Sequence, residues 1–309
     1  MARYDIIFMG TPAFGATILD ALIKENNVKL VVCQTDKVLG KKTYVSPVKE
    51  LAIKKGIEVF QPENIRKDYE KILSTPCDFI VSAAYGQIVG SKVLAHPKIA
   101  SINVHGSLLP KYRGGAPIQR SIMNGDKQTG ISIMYMAKGM DSGDILRAEA
   151  IEIGKATSDE LFVELAVLGA KMINPVINDL AEGKIKPIKQ DKNQVSYAYN
   201  LTKEDELIDF NKDAKMVECQ VRALNSNPGA YFTIDGMVFK VYEAEAVESN
   251  SIEEVKVIEK VDKTSFTVRC SNGALKIKEI KPAGKNKMLV RDYLNGKGKD
   301  ILFVGRKID

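Results

Sequence analysis

Two polar side chains that could take part in catalysis stand close together in the middle of the chain. Asn103 and His105 are two residues apart, so on a β-strand they share one face while apolar neighbours take the other. Gly106 then ends the strand, and a loop rich in glycine and proline follows over residues 107–117. Backbone groups in such a loop can approach a ligand closely. The pair is therefore a candidate for catalysis, with a satisfied structural pair as the alternative.

A second candidate is the segment Gly139-Met-Asp-Ser-Gly-Asp-Ile145, which lies between two strand-like runs. Aspartate and glycine are common in turns, so a purely structural turn is the simplest interpretation. A histidine that acts as a base often needs a carboxylate to orient it and to favour its charged form. Asp141 is a plausible partner of His105 if the fold brings the two together, and Asp144 lies in the same turn.

The elements that must position these residues alternate between strand-like and helix-like patterns. A helix is predicted to open at Ser46-Pro47, and Thr157–Glu160 has the spacing of a capping box ahead of a long helix that ends near Gly183. The predicted strands are Asp5–Met9, Val28–Cys33, Phe79–Ser82, Ile99–Val104, Thr129–Met136 and Asp144–Ile153. This alternation predicts an α/β fold with a doubly wound, mostly parallel sheet, which binds ligands beyond the carboxyl ends of its strands.

The composition changes after Gly183. Residues 184–205 are polar and basic without a clear period, and we expect a linker there between a first domain (1–183) and a second domain (206–309). Turn signals separate the strand-like runs of the second domain, which predicts a small antiparallel β-barrel or sandwich. These runs are Tyr231–Ile234, Met237–Tyr242, Glu254–Ile258, Ser265–Cys270 and Ala274–Ile280.

Composition excludes several other classes of protein. With 309 residues, 45% hydrophobic and 27% charged, the chain can bury a sizeable core and is not wholly disordered. No run approaches the roughly 18 apolar residues of a membrane helix, and the first residues do not resemble a signal peptide. Four widely spaced cysteines argue against disulfides and zinc, so we expect a cytoplasmic protein. The turn Gly10–Gly15 lacks the lysine of a phosphate loop, which favours a structural turn.

Several motifs resemble the folate-dependent formyltransferases. The central ones are Asn103–Pro110, Tyr112–Pro117 and Gly139–Asp144. Others are similar to the methionyl-tRNA formyltransferases in particular and extend the resemblance over nearly the whole chain: Phe8–Phe14, Ser46-Pro47, Phe60–Pro62, Leu201–Asp205, Arg222-Ala223 and Pro282–Lys285. The resemblance implies a Rossmann-like formyltransferase domain followed by an OB-like barrel.

The same resemblance implies an activity and a set of site residues. A formyl group would pass from 10-formyltetrahydrofolate to the amino group of methionine on initiator tRNA, without a metal or a covalent enzyme intermediate. Folate and initiator methionyl-tRNA are the expected partners, with no membrane and no protein partner implied. The catalytic set would be Asn103, His105 and Asp141, and the residues around the folate would be Ser107, Leu108, Leu109, Pro110, Tyr85 and Gly86. The chemistry agrees, because an amide can stabilise an oxyanion and a histidine is a base poised near neutrality.

Positive charge supports the tRNA part of this expectation. The chain carries a net charge of +6; residues 37–55 hold six lysines and one acid, and residues 276–307 hold ten basic residues and three acids. Each group alone is more often a solvated surface, but together they could follow RNA phosphates. The expected contacts are Lys37, Lys41, Lys42, Lys281, Lys285 and Lys287. Where the family usually carries arginine in its substrate loop, Leu39–Lys42 has only lysines, which lack the bidentate fork of arginine.

Three alternatives remain open. A formyltransferase that acts on a nucleotide-sugar amine would share the catalytic set, and the loop Leu39–Ser46 and the basic C-terminal residues would distinguish it. A hydrolase that releases formate would use water in place of the amine. A non-enzymatic RNA-binding protein with a degenerate Rossmann-like domain is disfavoured by the intact Asn103, His105 and Asp141.

Overall fold

A computed structural model describes residues 3–40 and 42–309. The chain forms two compact units. The first comprises residues up to Pro117, Gln128–Glu152 and Phe162–Tyr199; the second comprises Ile118–Lys127, Ile153–Leu161 and Asn200–Asp309. The predicted linker is divided, since residues 184–199 belong to the first unit and 200–205 to the second. The domain boundaries expected from the sequence stay a prediction.

Up to residue 181 the chain alternates between strands and helices. The elements are β1 (Asp5–Gly10), α1 (Ala13–Glu25), β2 (Asn27–Val32), β3 (Lys37–Leu39), β4 (Lys42–Tyr44), α2 (Pro47–Lys54), β5 (Val59–Phe60), α3 (Glu70–Leu73), β6 (Phe79–Ala83), α4 (Ser91–Leu94), β7 (Ala100–His105), α5 (Pro117–Met123), β8 (Gln128–Tyr135), β9 (Ile145–Glu152) and α6 (Ser158–Ala181).

Seven of these strands form the sheet of the first unit, in the order β5-β2-β1-β6-β7-β8-β9, while β3 and β4 form a separate hairpin. The five strands from β5 to β7 are parallel, and β8 and β9 are antiparallel. Strands covered on both faces have nearly continuous apolar sequences, and residues 6–9 of β1 are fully buried. The predicted doubly wound α/β fold is confirmed.

Local sequence signals fix the turns and helix ends of this sheet. A Cβ atom on Gly10 or Gly15 would lie 2.9 Å from the carbonyl oxygen of Ala83, so the close approach of β1, α1 and β6 requires glycine there. At α2, the Ser46 hydroxyl accepts a hydrogen bond from the backbone N–H of Lys49 (3.2 Å), as an N-cap should.

The second unit adds a mainly antiparallel sheet. Its elements after residue 200 are α7 (Lys203–Glu206), α8 (Ala214–Ala223), β10 (Ala230–Ile234), β11 (Met237–Val247), β12 (Ile258–Val261), β13 (Phe266–Arg269), β14 (Ala274–Pro282), β15 (Met288–Leu289) and α9 (Val290–Leu294). The strand order is β10-β11-β14-β13-β12, and β15 pairs with β14. The expected strand Glu254–Ile258 was wrong in its bounds, because β12 begins only at Ile258; residues 255 and 256 form a turn, and Val257 forms an isolated bridge with Lys307.

The C-terminal segment connects the two outer strands of this sheet. The backbone N–H of Asp309 donates to Thr233 of β10 (3.0 Å), whereas Arg306 accepts from the N–H of Ile258 at the start of β12 (2.8 Å). Packed phenylalanines fill the core between them, with the rings of Phe232 and Phe239 stacked at 5.3 Å. Complete closure into an OB-like barrel stays a prediction. Over the described parts of the chain, no helix is both long and apolar enough to span a membrane.

Candidate active site

The candidate site lies at the carboxyl end of β7. Asn103 pairs with Ser82 of β6 and Met134 of β8 in regular register, and His105 pairs with Ser132 of β8. The alternation of a strand therefore puts Asn103 and His105 on one face, as predicted. Asn103 is half-buried, and within the described ranges its side-chain amide has no hydrogen-bond partner. This donor is thus available to a ligand.

His105 is buried, with 6% of its surface exposed, and both ring nitrogens have defined surroundings. Nε2 lies 2.9 Å from the carbonyl oxygen of Tyr112, and Nδ1 lies 3.7 Å from Oδ2 of Asp141. A carbonyl oxygen can only accept, so Nε2 must carry the proton of the neutral ring and donate it to this bond. The unprotonated, basic atom is therefore Nδ1, on the side of Asp141.

The carboxylate of Asp141 is held by the loop that follows β7. Oδ2 accepts a hydrogen bond from the backbone N–H of Gly114 (2.8 Å), and the Asp141 side chain is 18% exposed. The turn itself packs tightly, because a Cβ atom on Gly143 would lie 1.8 Å from the carbonyl oxygen of Tyr135 in β8. The fold therefore brings Asp141 to His105, whereas no hydrogen bond or ion pair joins the Asp144 side chain to this pair.

The predicted folate segment follows β7, the strand that carries the candidate catalytic pair. Ser107 is fully buried; its hydroxyl donates to the carbonyl of Lys111 (2.7 Å), and its own carbonyl accepts from the Ser132 hydroxyl (2.7 Å). Leu109 packs in a small apolar cluster, while Leu108 and Pro110 are half-buried. The backbone and Ser107 thus fix the loop, and Leu108 and Pro110 keep exposed apolar surface.

Tyr85 and Gly86 follow β6, whose carboxyl end meets that of β7 at the same edge of the sheet. The Tyr85 carbonyl accepts from Thr11 and Gln34, both at 3.1 Å. Its ring is 3% exposed, and its hydroxyl has no hydrogen-bond partner within the described ranges. Burial raises the pKa of the Tyr85 hydroxyl, so this group is a neutral donor. Gly86 has a φ of +90° that favours glycine.

Comparison with known proteins identifies the family of this chain. Two family models match, one described as formyl transferase over residues 3–177 and one as formyl transferase, C-terminal domain, over residues 200–298. Among curated relatives, methionyl-tRNA formyltransferase of Latilactobacillus sakei is 43% identical and that of Staphylococcus aureus strain RF122 is 42% identical. The first alignment covers 98% of both chains; the second covers 98% of this chain and 99% of the relative. The chain belongs to the methionyl-tRNA formyltransferase family.

More distant proteins among the solved structures share this fold. An N-formyltransferase from Helicobacter canadensis, in complex with folinic acid and dTDP-3-aminofucose, is 18% identical with a TM-score of 0.68, over 93% of this chain and 100% of that one. HypX from Aquifex aeolicus, in complex with tetrahydrofolic acid, is 16% identical with a TM-score of 0.66, over 97% of this chain and 48% of that one. At these identities the likeness shows the fold alone.

The lysines expected to bind tRNA in this family member lie in both units. Lys37 is exposed in β3, Lys42 lies in β4, and Lys41 lies outside the described residues. In the second unit all three predicted residues are exposed, and we call them the C-terminal lysines (Lys281, Lys285 and Lys287).

The C-terminal lysines differ in their surroundings. Lys287 forms an ion pair with Glu279 (2.8 Å) and lies 4.8 Å from the ring centre of Tyr242. Lys285 lies 5.5 Å from the ring centre of Tyr293. Part of the positive charge of Lys287 is therefore already compensated within the chain.

Sequence reasoning missed residues of the predicted linker that contact the loops of the candidate site. Gln190 binds Arg113 and the turn that carries Asp141, and Ser196 binds the backbone of Tyr112. These are single polar residues in a polar segment, so the sequence carried no signal for them. Over the described ranges, no group of three potential metal-ligating side chains comes together.

Proposed function

We propose that this chain transfers the formyl group of 10-formyltetrahydrofolate to the α-amino group of methionine esterified to initiator tRNA. The observation that carries the proposal is the placement of His105 Nδ1 3.7 Å from the Asp141 carboxylate, beside Asn103 on the same face of β7. The high identity to relatives that are methionyl-tRNA formyltransferases supports the choice of acceptor.

Asn103 is positioned to bind the oxygen of the formyl group. When the amine attacks the formyl carbon, that oxygen gains negative charge, and a fixed amide N–H stabilises it more than it stabilises the ground state. Loss of one such donor typically costs about 10²–10³ in rate. The half-buried Asn103 amide fits this role because it forms no competing bond within the described protein.

His105 is positioned to accept the proton that the amine loses. An α-amino group titrates near about 8 and attacks only when neutral. As the amine nitrogen bonds to the formyl carbon, Nδ1 of His105 takes the proton that the amine loses. Nε2 cannot take it, because its N–H already donates to the Tyr112 carbonyl. Asp141 then faces an imidazolium ion and stabilises it. The bond between the formyl carbon and the donor nitrogen breaks, and His105 returns the proton to that nitrogen.

The residues beyond β6 and β7 fit a folate. The half-buried Leu108 and Pro110 offer apolar surface to an aromatic ring, while Tyr85, whose ring packs in the core of the sheet, is proposed to line the site through its backbone. Ser107 and Leu109 hold the loop that carries this surface in place, Ser107 through its hydrogen bonds to Lys111 and Ser132 and Leu109 through its apolar packing. In this proposal Gly86 lets the backbone turn beside the pterin.

Lysines of both units are proposed to bind the tRNA. Lys37, Lys41 and Lys42 belong to the segment around the β3–β4 hairpin, and the C-terminal lysines lie in and after β14. Lysine binds phosphate as a point charge. Affinity for tRNA should therefore fall steeply as the salt concentration rises.

A direct assay tests the proposal. The purified chain is incubated with 10-formyltetrahydrofolate and methionyl-initiator-tRNA, and formylation of the methionine amine is followed. Parallel reactions replace the tRNA by a nucleotide-sugar amine or omit the acceptor. We expect transfer to methionyl-tRNA and at least a 10²-fold loss in His105→Ala. Formylation of the sugar amine alone, or formate release without an acceptor, would instead support one of the alternatives.

A further inference from the structure

The side chain of Gln190 forms four hydrogen bonds with nitrogen and oxygen partners within the first unit, and its Nε2 also lies 4.0 Å from Sδ of Met134. Its Nε2 donates to the carbonyl oxygens of Asp141 (2.8 Å) and Gly143 (2.7 Å). Its Oε1 accepts from Nε (3.1 Å) and Nη2 (2.8 Å) of Arg113. One amide group therefore connects the turn that carries Asp141 to the loop that follows β7.

Neighbours of Gln190 attach the same segment at three further points. Ile188 exchanges two backbone hydrogen bonds with Ile145 at the start of β9 (2.8 and 2.9 Å). The Ser196 hydroxyl accepts from the backbone N–H of Tyr112 (3.0 Å), and the N–H of Ala198 donates to the carbonyl of Arg113 (2.7 Å). Ile188, Ser196 and Ala198 thus attach this segment to the loops of the candidate site, although its sequence predicts a linker.

The backbone that Gln190 supports adopts an unusual conformation. Asp141 has a φ of +47° and Tyr112 a φ of +61°, in the left-handed region that residues with side chains rarely adopt. Such conformations persist only where the surrounding structure holds them. Gln190 binds the carbonyl of Asp141 directly, and it binds the side chain of Arg113, the residue that follows Tyr112.

We propose that Gln190 is a positioning residue for formyl transfer. By joining the turn of Asp141 to the loop of Tyr112 and Arg113, it sets the distance between the Asp141 carboxylate and His105. The inference rests on the proposed function, because its effect is measured on that reaction. A purely structural role, in which Gln190 only attaches residues 188–198 to the first unit, is the alternative that the experiment must exclude.

Two substitutions distinguish the hydrogen bonds that Nε2 of Gln190 donates to the turn from those that Oε1 accepts from Arg113. Gln190→Met keeps the length of the side chain and removes all four hydrogen bonds. Gln190→Glu keeps an acceptor for Arg113 but turns an oxygen toward two carbonyl oxygens, so it removes only the bonds to the turn. The matched control is Gln194→Met, because Gln194 is exposed and its side chain donates only to Asp191 (2.9 Å).

The readout is steady-state formylation with methionyl-initiator-tRNA, together with a double-mutant cycle. We expect Gln190→Met to lower kcat by about 10- to 100-fold with both KM values within about twofold, the signature of an interaction that matters in the transition state. Gln190→Glu should show a similar loss, and Gln194→Met should stay within about twofold of wild type. In the Asp141→Asn background, Gln190→Met should cost less than about threefold, because residues that act through one another are not additive.

Three results would overturn the inference. These are a kcat within twofold of wild type in Gln190→Met, a rise in KM alone, and an equal fold-loss with and without Asp141→Asn. All rates are compared well below the thermal midpoint of each variant, and if the Met variant does not fold, Gln190→Glu carries the same cycle. If the wild-type chain transfers no formyl group, the proposed function is refuted. If the wild type is active and the Gln190 variants form product at the same rate, only the role of Gln190 is refuted.

Discussion

Replacing Asp141 by asparagine tests the charge that stands beside His105. The two residues have nearly the same shape, and the asparagine oxygen can still accept the hydrogen bond from the Gly114 N–H (2.8 Å). Asparagine also tolerates the left-handed backbone of this position (φ +47°) better than most residues do. The substitution therefore removes the negative charge and leaves the turn in place.

The structure gives the size of the expected effect. The two groups lie 3.7 Å apart and are mostly buried, with 6% and 18% of their side-chain surfaces exposed. Two unit charges about 4 Å apart interact by about 4 kcal/mol at an effective dielectric constant of about 20. Since about 1.4 kcal/mol corresponds to a factor of ten, the upper limit is about 10³ in rate. We expect a loss of about 10²–10³, because the asparagine dipole replaces a part of the interaction.

Single-turnover formyl transfer with saturating substrates measures this loss in the chemical step. Asp144→Asn is the matched control, because Asp144 lies in the same turn and is half-buried but forms no hydrogen bond or ion pair with His105. We expect the control to stay within about threefold of wild type. An Asp141→Asn rate within threefold of wild type, or equal losses in both variants, would refute the role given to this carboxylate.

Three further predictions concern packing, pH and salt. Gly143→Ala should lower the free energy of unfolding in urea by about 1–3 kcal/mol, because the new Cβ atom would lie 1.8 Å from a carbonyl oxygen of β8. Gly90→Ala is the control, because a Cβ atom there meets no atom within 4 Å. Equal urea midpoints for the two variants would contradict this reasoning. Asp205 forms two hydrogen bonds with Arg120 (2.6 and 2.7 Å), which lower the pKa of its carboxyl group. The ion pair therefore stabilises the fold at pH values above the unfolded pKa of about 4, and this stabilisation is lost as the pH falls through the lower folded pKa. Asp205→Asn should lower the free energy of unfolding by about 1–2 kcal/mol at pH 7 and by less in acid. If the difference in urea midpoint between this variant and wild type does not vary with pH, the Asp205–Arg120 pair is not its cause. Replacing the C-terminal lysines by alanine should make the fall of tRNA affinity with salt less steep, by about one unit of logarithmic slope per lost phosphate contact, and an unchanged slope in filter binding would show that they do not touch the tRNA.

The sequence was sufficient for the parallel sheet because its strands are apolar on both faces. The runs that became β1, β6 and β7 are buried throughout most of their length, so their patterns differ clearly from those of the connecting helices. The type and spacing of Asn103 and His105 likewise predicted a polar pair on one strand face. The proximity of Asp141 was conditional on the fold, because it depends on the pairing of β8 with β7, which no local pattern encodes.

Other elements escaped prediction for different reasons. Helix α8 carries apolar residues with helical spacing at Ala214, Val217 and Val221, but the buried Glu218 and Gln220 between them make the segment look polar. Glu218 is tolerated there because Lys155 and a backbone N–H bind its carboxylate. The contacts of residues 188–198 left no signal at all, since a polar side chain with distant partners has the same local pattern as one in a linker.

The distance of 3.7 Å between His105 Nδ1 and Asp141 Oδ2 is longer than a hydrogen bond, and the chemistry of the neutral ring explains why. Because Nε2 donates its proton to the Tyr112 carbonyl, Nδ1 carries a lone pair, and two acceptors do not bond to each other. Uptake of a proton from the amine converts Nδ1 into a donor, and the charged pair can then close to the roughly 2.7–2.9 Å of a charge-assisted hydrogen bond. Asp141 therefore stabilises the His105 ring little before the proton is transferred and strongly during the transfer. An interaction with this timing lowers the barrier without tightening the binding of either substrate, which is why its loss should appear in kcat.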